Sequence, residues 1–167
     1  MTHSRWRGGR VTRVVVCALM LGGAITAFGL ARALAAPAGC QNWTGAQPPN
    51  PGGAGNTLDG VAIESACDAW AVGFYDNGIL DKTLILTWTG TKWVQQASPT
   101  PGSSGLDSVA TTAADNTWAV GSYLNDTTVA SLILHWNGTK WAQVSSPSPS
   151  PTSNFLFAVA ASSASNA

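Results

Sequence analysis

Between Thr83 and Trp88 the chain alternates. Leu84, Leu86 and Trp88 fall on one face of an extended segment, and Thr83, Ile85 and Thr87 on the other. A period of two predicts a β-strand, because successive side chains of an extended chain point to opposite sides. Three more segments of strand character surround it. LDGVAIES (58–65) is small and apolar, AWAVGFY (69–75) is aromatic and β-branched, and KWVQQ (92–96) is more polar and suits an outer strand. Beyond the first 35 residues no segment shows the 3.6-residue period of a helix.

The pattern then recurs. Residues 58–99 and 106–147 align without gaps at a shift of 48, with 22 of 42 positions identical. The matched pairs include Asp59 and Asp107, Trp70 and Trp118, Gly73 and Gly121, Trp88 and Trp136, and Trp93 and Trp141. A third copy opens at Leu156, where LFAVAASSASNA matches LDSVATTAADNT. Ahead of the first copy, Trp43 stands where Trp93 and Trp141 stand in the full units. The organisation expected is a lead-in over 36–57 with the outer strand of a preceding unit, repeats at 58–105 and 106–155, and the start of a third at 156–167.

Four short strands per unit, repeated at this period, predict an all-β array of four-stranded antiparallel blades, the plan of a β-propeller. About two and a half units are present, so the array is expected to be an incomplete propeller and the N-terminal part of a longer chain. Alone, it is expected to expose a strand edge and Trp-rich faces and to associate. Asn137-Gly138 predicts a tight hairpin between the third and fourth strands, of the type with positive φ at both central residues. The prolines of ASPTPGSSG and SSPSPSPTSN cannot donate to a sheet ladder and mark the links between units.

Recurrence also assigns the tryptophans. Trp43, Trp70, Trp88, Trp93, Trp118, Trp136 and Trp141 all sit at repeat-related positions. A blade packs both faces on its neighbours, and an aromatic side chain buries roughly 150–250 Å². Packing explains the recurrence better than a sugar-binding platform does. On this reading, truncating Trp118 in a closed array costs about 3–5 kcal/mol.

The stretch WAVGSYLN, followed by LILHWNGTKWAQVSSPSP, resembles the Trp-rich repeats of bacterial secreted kelch-like propeller proteins. The resemblance runs from Trp43 to Ala167, with a single Gly73 or Gly121 where kelch repeats carry a glycine pair. It implies a propeller of blades and an interaction role. It brings no catalytic residue with it, because the shared motifs are structural.

Charge and the N-terminus set the compartment. All five arginines lie in the first 32 residues, leaving three lysines and eight acids in the body, a net charge of −5. A phosphate-binding surface needs clustered Lys and Arg, so nucleic acid is not an expected partner. The basic stretch 1–13, the apolar run 14–31 and the small residues Ala33-Leu34-Ala35 have the layout of a secretory signal, with the mature chain starting near Ala36. The 18-residue run is also long enough to stay as a helical membrane anchor, the one route to membrane contact. Lipid attachment at Cys40 is disfavoured by Pro37 three positions before it. Each of these routes places the body in a secreted or cell-surface setting. There Cys40 and Cys67 form an even pair able to make a disulfide, or two free thiols.

The body carries little catalytic vocabulary. His135 is its one histidine, and Thr87 takes its place in the other copy. Glu64, Asp76 and Asp81 are the carboxylates available for glycoside chemistry, which needs two flanking one bond. Asp59 and Asp107 recur with the repeat and read as structural. Asp76, Asn77 and Asp81 offer oxygens to a calcium ion but lack a known ligand spacing, and a solvated loop is the better account. No metal, cofactor or catalytic residue is therefore expected. The function expected is a non-catalytic extracellular binding or scaffold module for a protein or glycan, contacted through the variable loops 74–82 and 122–131. The alternative is the propeller portion of a secreted hydrolase or oxidase whose catalytic residues lie elsewhere.

Overall fold

A computed structural model describes residues 39–40, 45–163 and 167, all within the compact unit Leu34–Ala167. The expected signal or anchor helix and the lead-in Trp43 lie outside the described residues. Eight strands follow in order: β1 (Gly55–Ser65), β2 (Asp68–Asp76), β3 (Asp81–Trp88), β4 (Trp93–Gln95), β5 (Ser104–Ala113), β6 (Asn116–Asn125), β7 (Thr128–Trp136) and β8 (Trp141–Val144). They make two four-stranded antiparallel sheets, β1-β2-β3-β4 and β5-β6-β7-β8, each a simple meander. The described residues are all-β, with no helix among them.

The repeat reaches into irregular details. In β1 the register slips between Leu58 and Gly60, and in β5 between Leu106 and Ser108, so Asp59 and Asp107 are the extra residues of matching β-bulges. Opposite each bulge sits the recurring glycine. A Cβ on Gly73 would collide with the Thr57 carbonyl oxygen, and one on Gly121 with that of Gly105. A single glycine per unit is thus what the close approach of the first two strands requires.

One face of the first sheet packs on the second. Trp70, Val72 and Ile85 share a core with Leu106, Val109, Ala119, Leu132, Leu134 and Trp141. Trp70 lies 5.3 Å from Trp136 and 5.3 Å from Trp141, edge-on to the latter, a favoured aromatic geometry. The opposite face of the first sheet forms a smaller cluster of Ala71, Leu84 and Leu86 with Tyr75 and Trp93. Trp70, Trp88 and Trp141 are buried, whereas Trp93, Trp118 and Trp136 are half-buried.

The proline links are clasped in place. The buried Thr83 hydroxyl lies 2.8 Å from the Ser98 hydroxyl and 2.9 Å from that of Thr100, and donates to the Pro99 carbonyl. Forty-eight residues on, Ser131 repeats the arrangement with Ser146, the Pro147 carbonyl and Ser148. Proline offers no N–H, so a buried hydroxyl at the start of the third strand supplies the donor that holds the link.

The hairpin at Asn137 forms, but by a different device from the one expected. Only Gly138 takes a positive φ, 87°, and Asn137 does not. The Asn137 carboxamide oxygen instead accepts hydrogen bonds from the Thr139 N–H, the Thr139 hydroxyl and the Lys140 N–H. The side chain does locally what a second left-handed residue would have done.

Candidate binding groove

The β2–β3 turn of the first sheet and the β6–β7 turn of the second are where the two units differ most in sequence. In the first, Asp76 pairs with Asp81 across the turn 77–80. Asp76 accepts the Gly78 N–H at 2.7 Å, and Asn77 accepts those of Ile79 and Leu80. In the second, Asn125 pairs with Thr128 around Asp126 and Thr127, and Asp126 adopts φ 54°. Asp and Asn tolerate this left-handed region better than most residues.

Both turns come to the same place. A groove of about 630 Å³ is lined by Asp76, Gly78, Ile79, Leu80 and Asp81 from one turn and Leu124 and Asp126 from the other, with Gly102 and Ser103 of the link as its floor. The Asp81 N–H donates to the Ser103 hydroxyl and the Leu124 N–H to the Ser103 carbonyl, so this link residue ties the two turns together. Ile79 at the tip is 86% exposed. Three carboxylates beside apolar side chains suit a ligand rich in hydroxyls or a positively charged peptide, because carboxylates are acceptor-only groups.

The other sequence candidates are not gathered here. Glu64 lies at the far end of the nine-residue β2 from Asp76, next to the β1–β2 turn. Burial raises its carboxyl above the usual range, and the charges of Asp68 and Asp115 add to the rise, partly offset by a hydrogen bond from the Ala114 backbone. Burial raises Asp68 as well. Asp107 is raised by burial and then by Asp59, which brings the two bulge carboxylates into electrostatic contact. His135 stacks on Trp118 with ring centroids 4.1 Å apart, and its Nε2 lies 2.8 Å from the Asn116 carboxamide oxygen. Because the Asn116 amide nitrogen donates to Thr112, that oxygen faces His135 as an acceptor and Nε2 carries the proton. The oxygens proposed for calcium are engaged at Asp76 and Asn77 in capping the turn, and the described residues hold no group of three His, Cys, Asp or Glu suited to a metal.

Family models, curated proteins and solved structures yield no match to the chain. Its own two units are therefore the comparison that separates scaffold from site. Most residues identical in both units are spent on packing, on bulges, on the clasped links and on the turns of the β3–β4 and β7–β8 hairpins. The groove is made of residues that differ between them: Ile79 answers to Thr127, and Asp81 to Val129.

Cys40 and Cys67 are joined in a disulfide, with Cα atoms 5.3 Å apart. The bond ties the lead-in to the β1–β2 turn and packs by Gly90, where an added Cβ would come within 3.6 Å of both cysteines. In the second unit Asp115 holds the position of Cys67 and packs on Gly138. The repeat alignment carried this pairing of turns, but the residue types differ, so it was visible only once Gly90 and Gly138 were placed.

Proposed function

We propose that the chain is a non-catalytic extracellular binding or scaffold module of kelch-like propeller type, holding a glycan or a protein segment in the groove between the β2–β3 and β6–β7 turns. The observation that carries the reading is the convergence of the two variable turns on one groove above a repeated, tightly packed pair of sheets. The propeller element is supported by how the sheets meet: the outward face of one unit seats on the inward face of the next, the contact that a stack of blades repeats. The disulfide accords with an extracellular setting, since such bonds persist in oxidising compartments.

A glycan array and a cationic peptide library test this on the protein as exported. Binding that is lost in Asp81→Asn or Asp126→Asn and kept in Glu64→Gln supports the groove. Binding that ignores the groove variants, or turnover of a substrate that depends on Asp76 or Glu64, overturns it.

A further inference from the structure

The second sheet carries the same two faces as the first, and only one of them is used in the same way. Toward the second sheet, the first presents Trp70, Val72 and Ile85. The residues 48 further on are Trp118, Val120 and Ile133. They alternate with Ala119, Leu132 and Leu134, which face the first sheet, and so belong to the opposite face. Trp70 is 4% exposed between two indoles of the neighbouring sheet. Trp118 is half-buried, stacks on His135 alone among the described residues, and its shielded indole N–H has no hydrogen-bond partner.

The inner margin of this face is already marked out. Gly60 of β1 lies against Ser108 of β5 where the two sheets meet. Ser108 in turn accepts a hydrogen bond from the Val159 N–H at 3.2 Å. Asn154 is held at both ends, its backbone N–H and its amide nitrogen donating to the Val129 carbonyl. Residues 155–160 therefore lie beside β5 as β5 lies beside β1. Yet residues 154–161 belong to no sheet, and Phe157 is 71% exposed.

We infer that the Trp118 face, with residues 155–161 at its margin, is a docking site for a β-meander of the chain's own repeat pattern. The occupant pairs its first strand with residues 155–161. It lays a Leu-x-Leu-x-Trp strand and a second indole over Trp118, as Leu132, Leu134, Trp136 and Trp141 lie over Trp70. The inference rests on the repeated-stack reading above and names what that stack takes next. A second copy of this chain is a poor occupant, because its own corresponding residues Leu84, Leu86 and Trp88 are 1%, 0% and 1% exposed.

The test continues the full chain past residue 167 with the sequence of residues 118–149. A control extension has serine at the positions answering to Leu132, Leu134, Trp136 and Trp141. Expected are a rise in Tm of about 5 °C or more and loss of the acrylamide-quenchable emission that Trp118→Phe identifies in the unextended chain; the control shows neither. If the extended chain aggregates, the same 118–149 peptide added in trans is expected to give a saturable shift in Trp emission that Trp118→Ala abolishes. An extension that stays protease-sensitive with unchanged Tm and quenching, a serine-faced extension that works equally well, or a peptide without effect overturns the inference. A stoichiometric dimer of the unextended chain, abolished by Trp118→Ala, would give the face to a second copy instead. Failure here leaves ligand capture at the groove standing, and a blank glycan array leaves this docking standing.

Discussion

Trp70 and Trp118 occupy the same place in two sheets of nearly the same sequence, and their surroundings differ completely. Trp70 is enclosed by Trp136 and Trp141 of the next sheet, whereas Trp118 rests on His135 within its own. The first strands show the same contrast from the other side. Leu106 and Val109 of β5 are 1% and 7% exposed under the first sheet, and their counterparts Leu58 and Val61 in β1 are 43% and 60% exposed. The first strand and the Trp70 face of this repeat are therefore buried by the neighbouring unit, not by their own sheet. At the contact between the two sheets, burial is supplied by the neighbour.

The largest effect expected follows from this. Trp70→Ala removes a buried indole from between two others and should cost about 3–5 kcal/mol. Trp118→Ala in the same chain should cost less, about 1–2 kcal/mol, since its ring is less enclosed than that of Trp70. Denaturant melts of both variants check the pair. Equal costs would show that Trp118 is covered as well as Trp70 is. The sequence alone put the two residues on one footing, because repetition reports what a position is for and not whether its partner is in place.

A second contrast separates the unit turns. Cys67 ties the first unit's β1–β2 turn to the lead-in across a separation of 27 residues, and Asp115 in the second makes no such bond. Closing a loop of that length restricts the unfolded chain by about 3–4 kcal/mol in the chain-entropy account. Replacing Cys40 and Cys67 together by serine should therefore lower stability by roughly that amount, and reductant should lower the Tm of the natural chain but not of the double variant. A reductant-insensitive Tm in the natural chain would remove the staple from the comparison.

The hydroxyl clasps are where the units agree, and they show how much the sequence held and hid. The strands were legible because a period of two survives in both copies, and the candidate turns because they break the repeat. The clasps were written in the same alignment, with hydroxyls at Thr83 and Ser131, Ser98 and Ser146, and Thr100 and Ser148. They read as polar link composition because nothing local says that a strand residue reaches 15–17 positions along the chain to a proline carbonyl. Asp59 and Asp107 were legible as structural, but the bulge that makes them so is a matter of register between strands. Ser131→Ala removes the hydroxyl shared by Ser146, Ser148 and the Pro147 carbonyl, while Ser146 and Ser148 keep their hydrogen bonds to the residue-131 backbone, and should cost about 1 kcal/mol. Thr83→Val should cost a similar amount, and thermal melts compare them. A marked inequality would mean that the two links are held by different contacts.

The smallest effect expected concerns the paired bulges. Asp107 has a raised carboxyl, first because it is partly buried and then because Asp59 stands near it. A carboxyl raised in the folded state is bound to its proton more tightly there than in the unfolded chain. Its contribution favours the fold below the unfolded-state pKa and is lost as pH rises through the folded value. Glu64 and Asp68 are raised too, so all three shifts have the same sign. Stability should therefore increase slightly as pH falls from neutral into the carboxylate range, rather than decline as it does where carboxylates are held in ion pairs. Asp59→Asn should bring the Asp107 titration, followed by NMR, back toward its ordinary value without restoring it fully, since burial is the larger cause. A complete return would make the charge of Asp59 the dominant cause. No movement at all would separate the two bulges electrostatically and confine the coupling between the sheets to their apolar faces.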